Sequence, residues 1–448
     1  MTTYRADLAW LPPGRLARNV AFVVSDGRFT DVVEGTAPGG GDRLGGLVLP
    51  GLANAHSHAF HRALRGRTQG ATGGRGSFWT WRDRMYAVAE ALDPDSYVAL
   101  ARASYGEMVL AGITAVGEFH YLHHGPAGAR YGDPNEMGHA VVRAAREAGL
   151  RITLLDTCYL SAGPGRPLEG VQQRFGDGNA ATWADRVEAL HSAYAGAPGV
   201  VVGAAAHSVR AVPADQLGTI AVWAGRHGAP LHAHVSEQQR ENDECLAAYG
   251  VTPTRLLHEH GLLGTRSSAV HATHLTNDDV GLLGGSGTGV CMCPTTERDL
   301  ADGVGPALRL RAAGSPVTLG SDSHAVVDLF EEARAVELDE RLVAQTRGHW
   351  SGADLLDAAT RAGHASLGSP DAGLLAPGAV ADLVAVRLDS VRTAGGRLED
   401  AVDRVVFGAG AADVTDVVVG GRRVVEGGEH LLLGDVGGLI GDAVAALG

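Results

Sequence analysis

The feature that most constrains this chain is an alternation. Eight short apolar runs lie at 46–52, 113–119, 152–157, 200–206, 230–235, 268–271, 289–293 and 316–320. The segments between them, such as 96–111, 137–149, 215–227 and 304–313, repeat apolar residues at helical spacing. Near-continuous apolar strands alternating with helices predict a parallel sheet covered on both faces. Eight such units predict an α/β fold, a (β/α)8 TIM-like barrel.

The two ends of the chain read differently. Residues 19–24, 29–33 and 44–49 are short apolar runs between turn residues, as are 381–386 and 417–425. Gly420-Gly421, between two valine-rich runs, is a two-residue hairpin signal. The termini are expected to pair into one small β-sandwich domain. This divides the chain into 1–50, the N-terminal part of that domain, 51–372, the barrel, and 373–448, its C-terminal part.

Composition narrows the function. A formal net charge of −14 argues against nucleic acid and against an anionic membrane surface as partners. An uncharged stretch near 191–209 is broken by Gly, Pro and His and is not expected to span a membrane. All 37 basic residues are arginine. No lysine is available for a Schiff base, a P-loop or a carbamylated bridge between two metals. The cysteines (Cys158, Cys245, Cys291 and Cys293) form no CxxC, and the N-terminus lacks a signal-peptide pattern. A reduced, cytoplasmic setting is expected. Cys291 and Cys293 read as small buried apolar residues.

In a barrel of this type the chemistry sits at the C-terminal ends of the strands. His56-Ser57-His58 follows the first run and its Pro50-Gly51 turn. On an extended strand, residues i and i+2 share a face, so both imidazoles can aim at one point. An isolated HxH is a weak motif, and the other strand ends decide the matter. Glu118-Phe119-His120-Tyr121 closes the second run, and His207 and Arg210 follow the fourth. The fifth carries His232, His234 and then Glu237. His271 closes the sixth, and Asp322 follows the eighth. Imidazoles with one carboxylate suit a zinc ion with an open position for water. With no lysine to bridge two metals, one metal is expected. His232 and His234 share a strand face, so periodicity does not separate them.

HSH after a Pro-Gly turn, a later H-x-x-E, a later His and a late S-D pair resemble the amidohydrolase superfamily. More narrowly, HSHAFHRALRG, FWTWRDRMY, GEFHYLHH, HSVRAV, HVSEQ, HATHL, CPTTERDLADG and GSDSH resemble the formimidoylglutamate deiminases of histidine degradation. That likeness covers about residues 50–345, and the terminal β domain is similar to the superfamily only generically. The resemblance implies one zinc per subunit, bound by His56, His58, His234 and Asp322. The H-x-x-E pattern selects His234 with Glu237 and leaves His232 as support. The implied reaction is hydrolytic deimination of N-formimino-L-glutamate to N-formyl-L-glutamate and ammonia. Asp322 would accept the proton of the attacking water and Glu237 would protonate the imine nitrogen. His271 would hydrogen-bond the developing charge.

Arg210 is a suitable bidentate partner for a substrate carboxylate, with His207 and Tyr121 adding hydrogen bonds. The resemblance adds Arg82, from its own or a neighbouring subunit of an expected homodimer. His61 stands where the family pattern has glutamine. Imidazole can make the same kind of hydrogen bond, and the departure leaves the substrate preference open. His120, His123, His124, His274 and His324 are expected to support the ligands, and Glu297 to be a candidate for orienting a neighbour.

Two other readings compete. One is a zinc aminohydrolase for another amidine, a guanidine or an aminated heterocycle; a neutral base would not need the arginines. The other is a non-catalytic metal-binding scaffold, against which the intact set of His56, His58, His234, Glu237, His271 and Asp322 speaks.

Overall fold

The computed structural model describes residues 1–36, 39–69 and 78–448. The side chains of Phe78, Trp79 and Thr80, which open FWTWRDRMY, lie outside the described set. Four strands come first: β1 (Thr2–Leu11), β2 (Arg15–Ser25), β3 (Arg28–Val33) and β4 (Asp42–Pro50). The barrel follows as β5 (Leu52–Ser57), β6 (Ile113–His120), β7 (Arg151–Cys158), β8 (Val200–Ala206), β9 (Leu231–Val235), β10 (Ser267–His271), β11 (Gly289–Met292) and β12 (Val317–Leu319). Near the C-terminus lie β13 (Leu383–Val386), β14 (Val414–Val419), β15 (Arg422–Glu426) and β16 (Glu429–His430).

Strands β5 to β12 pair in sequence order, each parallel to the next. The barrel closes between β12 and β5. The Asp322 N–H donates to the His56 carbonyl at 3.0 Å, and the His58 N–H donates to the Asp322 carbonyl at 3.3 Å. Glycine permits that approach: a Cβ on Gly320 would stand 2.8 Å from the Cβ of His56 and 2.9 Å from its carbonyl oxygen.

The apolar run 46–52 departs from expectation. It is not one barrel strand. Its first part belongs to β4, which pairs with β1 and β13 in the terminal sheet. Pro50-Gly51 breaks the run, and the first barrel strand is Leu52–Ser57. An apolar run does not say which sheet buries it. His56 therefore sits within a strand, and only His58 lies beyond its end.

The terminal strands form one eight-stranded sheet, in the order β16-β15-β14-β13-β4-β1-β2-β3. It curls over its own core of Tyr4, Phe22, Phe29, Leu44, Leu383 and Val418, separate from the barrel core. The β2–β3 turn meets the β14–β15 turn, where Gly420-Gly421 forms the expected two-residue loop. β1 carries no signal that the alternation argument used. The C-terminal stretch also contributes two helices to the outside of the barrel. Ala401–Gly408 packs on Leu329–Ala344, and Val436–Ala445 packs on Pro94–Leu110. Among the described residues, no helix is long and apolar enough to cross a membrane.

Candidate active site

Strand ends at one rim of the barrel carry the polar groups inward. His56 on β5, His58 just beyond it, His234 on β9 and Asp322 after β12 converge. The Nε2 atoms of His56 and His234 are 3.1 Å apart. Asp322 Oδ1 lies 3.4 Å from His56 Nε2 and 3.3 Å from His58 Nε2. Four donors at zinc–ligand distances of about 2.0–2.1 Å in a tetrahedron stand about 3.3 Å from one another. The observed spacings match that figure.

Proton placement agrees. His58 Nδ1 donates to the Phe119 carbonyl at 2.9 Å, and His234 Nδ1 donates to the His207 carbonyl at 2.8 Å. Each Nε2 therefore turns a lone pair toward the shared centre. Burial first, and the neighbouring His56 imidazole second, push the His58 imidazole down to about 3, so it stays neutral. Burial also raises the cost of ionising Asp322. The hydrogen bond from His56 and the surrounding imidazoles outweigh that cost and hold the carboxyl below the usual carboxylate range. Neutral imidazoles with an anionic carboxylate are the donor set that zinc takes.

Two more imidazoles reach the centre. His56, His271 and Asp322 form a second convergent triplet, and His58, His61 and Asp322 a third. Their outer contacts set them apart. His61 Nε2 is held by the Tyr121 hydroxyl at 2.9 Å. His271 Nδ1 lies 3.4 Å from Glu297 Oε1, and its Nε2 is 3.8 Å from Glu237 and 3.7 Å from Asp322. Burial disfavours the His271 cation, but Glu237, Glu297 and Asp322 together raise its pKa well above the ordinary value. Glu237 is raised by burial first, with Asp322 and Glu297 adding and His271 and Arg210 opposing. The two carboxyls of one cavity are thus driven in opposite directions, the pattern of an acid beside a base.

Depth in the barrel separates the two histidines of β9. His232 Nε2 donates to the Ser366 carbonyl at 3.0 Å, a layer below the centre. Periodicity could not show this, because both side chains point inward.

His61, Tyr121, His207, Arg210 and Arg82 line the cavity together with His58, His234, Glu237, His271 and Asp322. Arg82 comes from the helix Phe78–Ala91 of the same chain, its guanidinium 5.5 Å from the centre of the Tyr86 ring. The cavity is therefore lined by arginine without a neighbouring subunit.

The model matching the description "Amidohydrolase family" covers residues 47–424. The chain belongs to the amidohydrolase family. This amidohydrolase is 38% identical over 439 residues to the formimidoylglutamate deiminase of Pseudomonas aeruginosa, covering 96% of each protein. It is 29% identical to the 8-oxoguanine deaminase of the same organism, over 95% of this chain and 94% of that protein. A crystal structure described as an amidohydrolase from Brucella melitensis superimposes with a TM-score of 0.92 at 33% identity, covering 100% of both chains.

Sequence reasoning missed several residues of this amidohydrolase's cavity. Tyr159 and Phe175 line it, as do Trp81, Met85 and Tyr86. Tyr159 directly follows β7, and the strand-end rule would have found it. Trp81 and Met85 are four apart on one helix face, a spacing readable in the sequence. Outside that lining, Glu241 stands four residues after Glu237 and is pushed up to about 7 by burial, with Arg210 opposing. Asp302, pushed up to about 9 by burial and the nearby Glu237, sits in a loop behind that lining, within the CPTTERDLADG stretch that carries the resemblance, where it was not singled out.

Proposed function

We propose that this protein hydrolyses N-formimino-L-glutamate to N-formyl-L-glutamate and ammonia, using one zinc held by His56, His58, His234 and Asp322. The observation that carries this reading is the meeting of two arginines, Arg82 and Arg210, with Glu237, His271 and the histidine–aspartate cluster in one cavity. A substrate with carboxylates explains the arginines in a protein of net charge −14. The 38% identity to a formimidoylglutamate deiminase over nearly the whole chain supports it.

When bound, the cation supplies Lewis-acid activation of the hydrolytic water. The chain's own groups do the rest. Arg210 and Arg82 hold the carboxylates, with His61, Tyr121 and His207 as hydrogen-bonding partners, and so fix the formimino carbon. Asp322, ionised in this setting, receives the proton of the attacking water. Glu237, whose pKa burial raises above the ordinary carboxylate value, delivers a proton to the imine nitrogen. His271 hydrogen-bonds the oxygen on which charge develops. As the bond from carbon to the former imine nitrogen breaks, Asp322 passes the proton it took from water to the departing nitrogen and Glu237 takes up the hydroxyl proton, so ammonia leaves and the carbon keeps the water oxygen as a formyl group.

A second reading is hydrolytic deamination of an aromatic heterocycle. The relatedness to an 8-oxoguanine deaminase and the aromatic lining of Trp81, Tyr121, Tyr159 and Phe175 favour it. The deciding experiment is ammonia release by zinc-loaded protein from N-formimino-L-glutamate, with formylglutamate identified as product. Formamide and glutamate as products would mean that the other C–N bond is cut. No turnover, alongside activity on an aminated heterocycle, would overturn the substrate.

A further inference from the structure

Behind the metal-type ligands lies a second set of buried polar groups with no part in the chemistry above. Ser57 sits between His56 and His58, its side chain on the opposite face of the strand. Its Oγ is 2.9 Å from Glu118 Oε2 on β6 and 2.9 Å from His324 Nε2 beyond β12. The other oxygen of Glu118 accepts the Ala59 N–H at 2.7 Å, and the His324 carbonyl accepts Arg65 Nε at 2.6 Å. Ser57, Glu118 and His324 are fully buried.

These three residues stand on three adjacent strand ends, with β5 in the middle. The Ser57 hydroxyl donates to Glu118 Oε2, so the serine oxygen accepts from His324 Nε2. Every donor then has one acceptor, and the end of β5 is tied on both sides. Burying such a trio gains little stability over apolar residues of the same shape. It does fix the rotation of the strand end, and the rotation of β5 sets where His56 and His58 point. The backbone bonds across the same seam join both histidines to Asp322.

We propose that Ser57, Glu118 and His324 are positioning residues that hold His56, His58 and Asp322 at the spacing a divalent cation requires. This rests on the metal-centre reading above but not on the identity of the substrate. Groups that orient metal ligands typically govern about 10- to 100-fold in metal affinity.

The test measures zinc affinity by competition with a chromophoric chelator, and the visible spectrum of the cobalt(II)-loaded protein. Wild type is compared with Ser57→Ala, Glu118→Gln, His324→Leu and His324→Gln. Thr153→Val serves as control: it removes a buried hydroxyl that donates to the Leu367 carbonyl at 2.7 Å, away from the centre. The expected result is a loss of about tenfold or more in zinc affinity for Ser57→Ala, Glu118→Gln and His324→Leu, with a changed cobalt spectrum. Thr153→Val is expected to match wild type. His324→Gln, whose amide can still donate to Ser57, is expected to recover most of the affinity. Should Ser57→Ala fail to fold, the His324→Leu and His324→Gln pair decides alone. Folded variants within about twofold of wild-type affinity would overturn the proposal while leaving the metal centre intact. A wild-type protein that binds no zinc would overturn the metal reading and this proposal with it.

Discussion

At the C-terminal end of the barrel, a cavity of about 50 Å³ is walled by five histidines, Glu237, Asp322 and two arginines. At the opposite end, a groove of about 890 Å³ runs beside the terminal sheet, lined by Trp10, Pro12, Arg311, Trp350, Asp354 and Arg361 among others. The larger space carries the plainer chemistry. Four of its charged side chains are paired and partly exposed: Arg311 with Asp354 at 2.8 Å, and Arg361 with Asp357 at 2.7 Å. The smaller space holds buried titratable groups pushed away from their ordinary behaviour. Its backbone is also strained. Ser236, His271, Ala272, Asp322 and His324 all take positive φ without being glycine, at 52°, 68°, 50°, 40° and 58°. Such conformations persist where surrounding structure enforces them, and they gather at working sites. Volume does not mark the site; enforced geometry around titratable groups does.

The sharpest way to break this contrast is to exchange one carboxylate at each end. Asp322→Asn removes the only anionic donor of the cluster and is expected to lower kcat/KM for ammonia release by about 10³-fold or more. Asp357→Asn at the far end should stay within about twofold. Comparable losses at both ends would mean that the chemistry has been assigned to the wrong one. Glu237→Gln comes next, with an expected fall in kcat of about 10²- to 10⁴-fold, the range of a lost general acid. An unchanged kcat would remove Glu237 from the proton path. Arg210→Met should act mainly on KM, raising it about 10- to 100-fold for a carboxylate substrate, as expected for a lost charge-assisted contact. A neutral heterocyclic substrate would be nearly indifferent to that change, so the same variant separates the two functional readings.

Less of the site than of the fold was legible in the sequence. Seven of the eight barrel strands coincide within a residue or two with the predicted runs, because a strand buried on both faces must be apolar throughout. The first was misplaced because Pro50-Gly51 joins two strands of different sheets and both are apolar. The ligand types were readable at the strand ends. The choice between His232 and His234 was not, since it depends on depth along a barrel axis that no local pattern encodes. Ser57 gave no sign of its contacts with Glu118 and His324, which lie 61 and 267 residues away.

Smaller effects are expected at the far end. Arg311→Met breaks an exposed ion pair and a contact 4.5 Å from the centre of the Trp350 ring. It should cost no more than about 1 kcal/mol in unfolding free energy, measured by denaturant titration, with activity unchanged. The last test concerns acid. Burial pushes the Asp354 carboxyl up, but the Ser351 hydroxyl and backbone N–H, with Arg311, outweigh it and hold its pKa below the ordinary value. A carboxyl depressed in the folded state contributes stability above its unfolded value of about 3.9, and that contribution is lost as pH falls through the folded value. Wild type should therefore lose Tm between pH 5 and pH 3 somewhat faster than Asp354→Asn. Parallel curves would show that this end contributes nothing to acid stability.

The alternation of apolar runs and helices determined the barrel, because burial on two faces leaves a pattern in every strand. The strand-end rule then determined which residue types could meet at its rim. Tertiary structure decided the rest. Closure of β12 on β5 brought Asp322 to His56 and His58, depth chose His234 over His232, and the helix Phe78–Ala91 returned Arg82 to its own cavity. Those outcomes depend on contacts between residues up to several hundred positions apart, and a linear pattern carries no record of them.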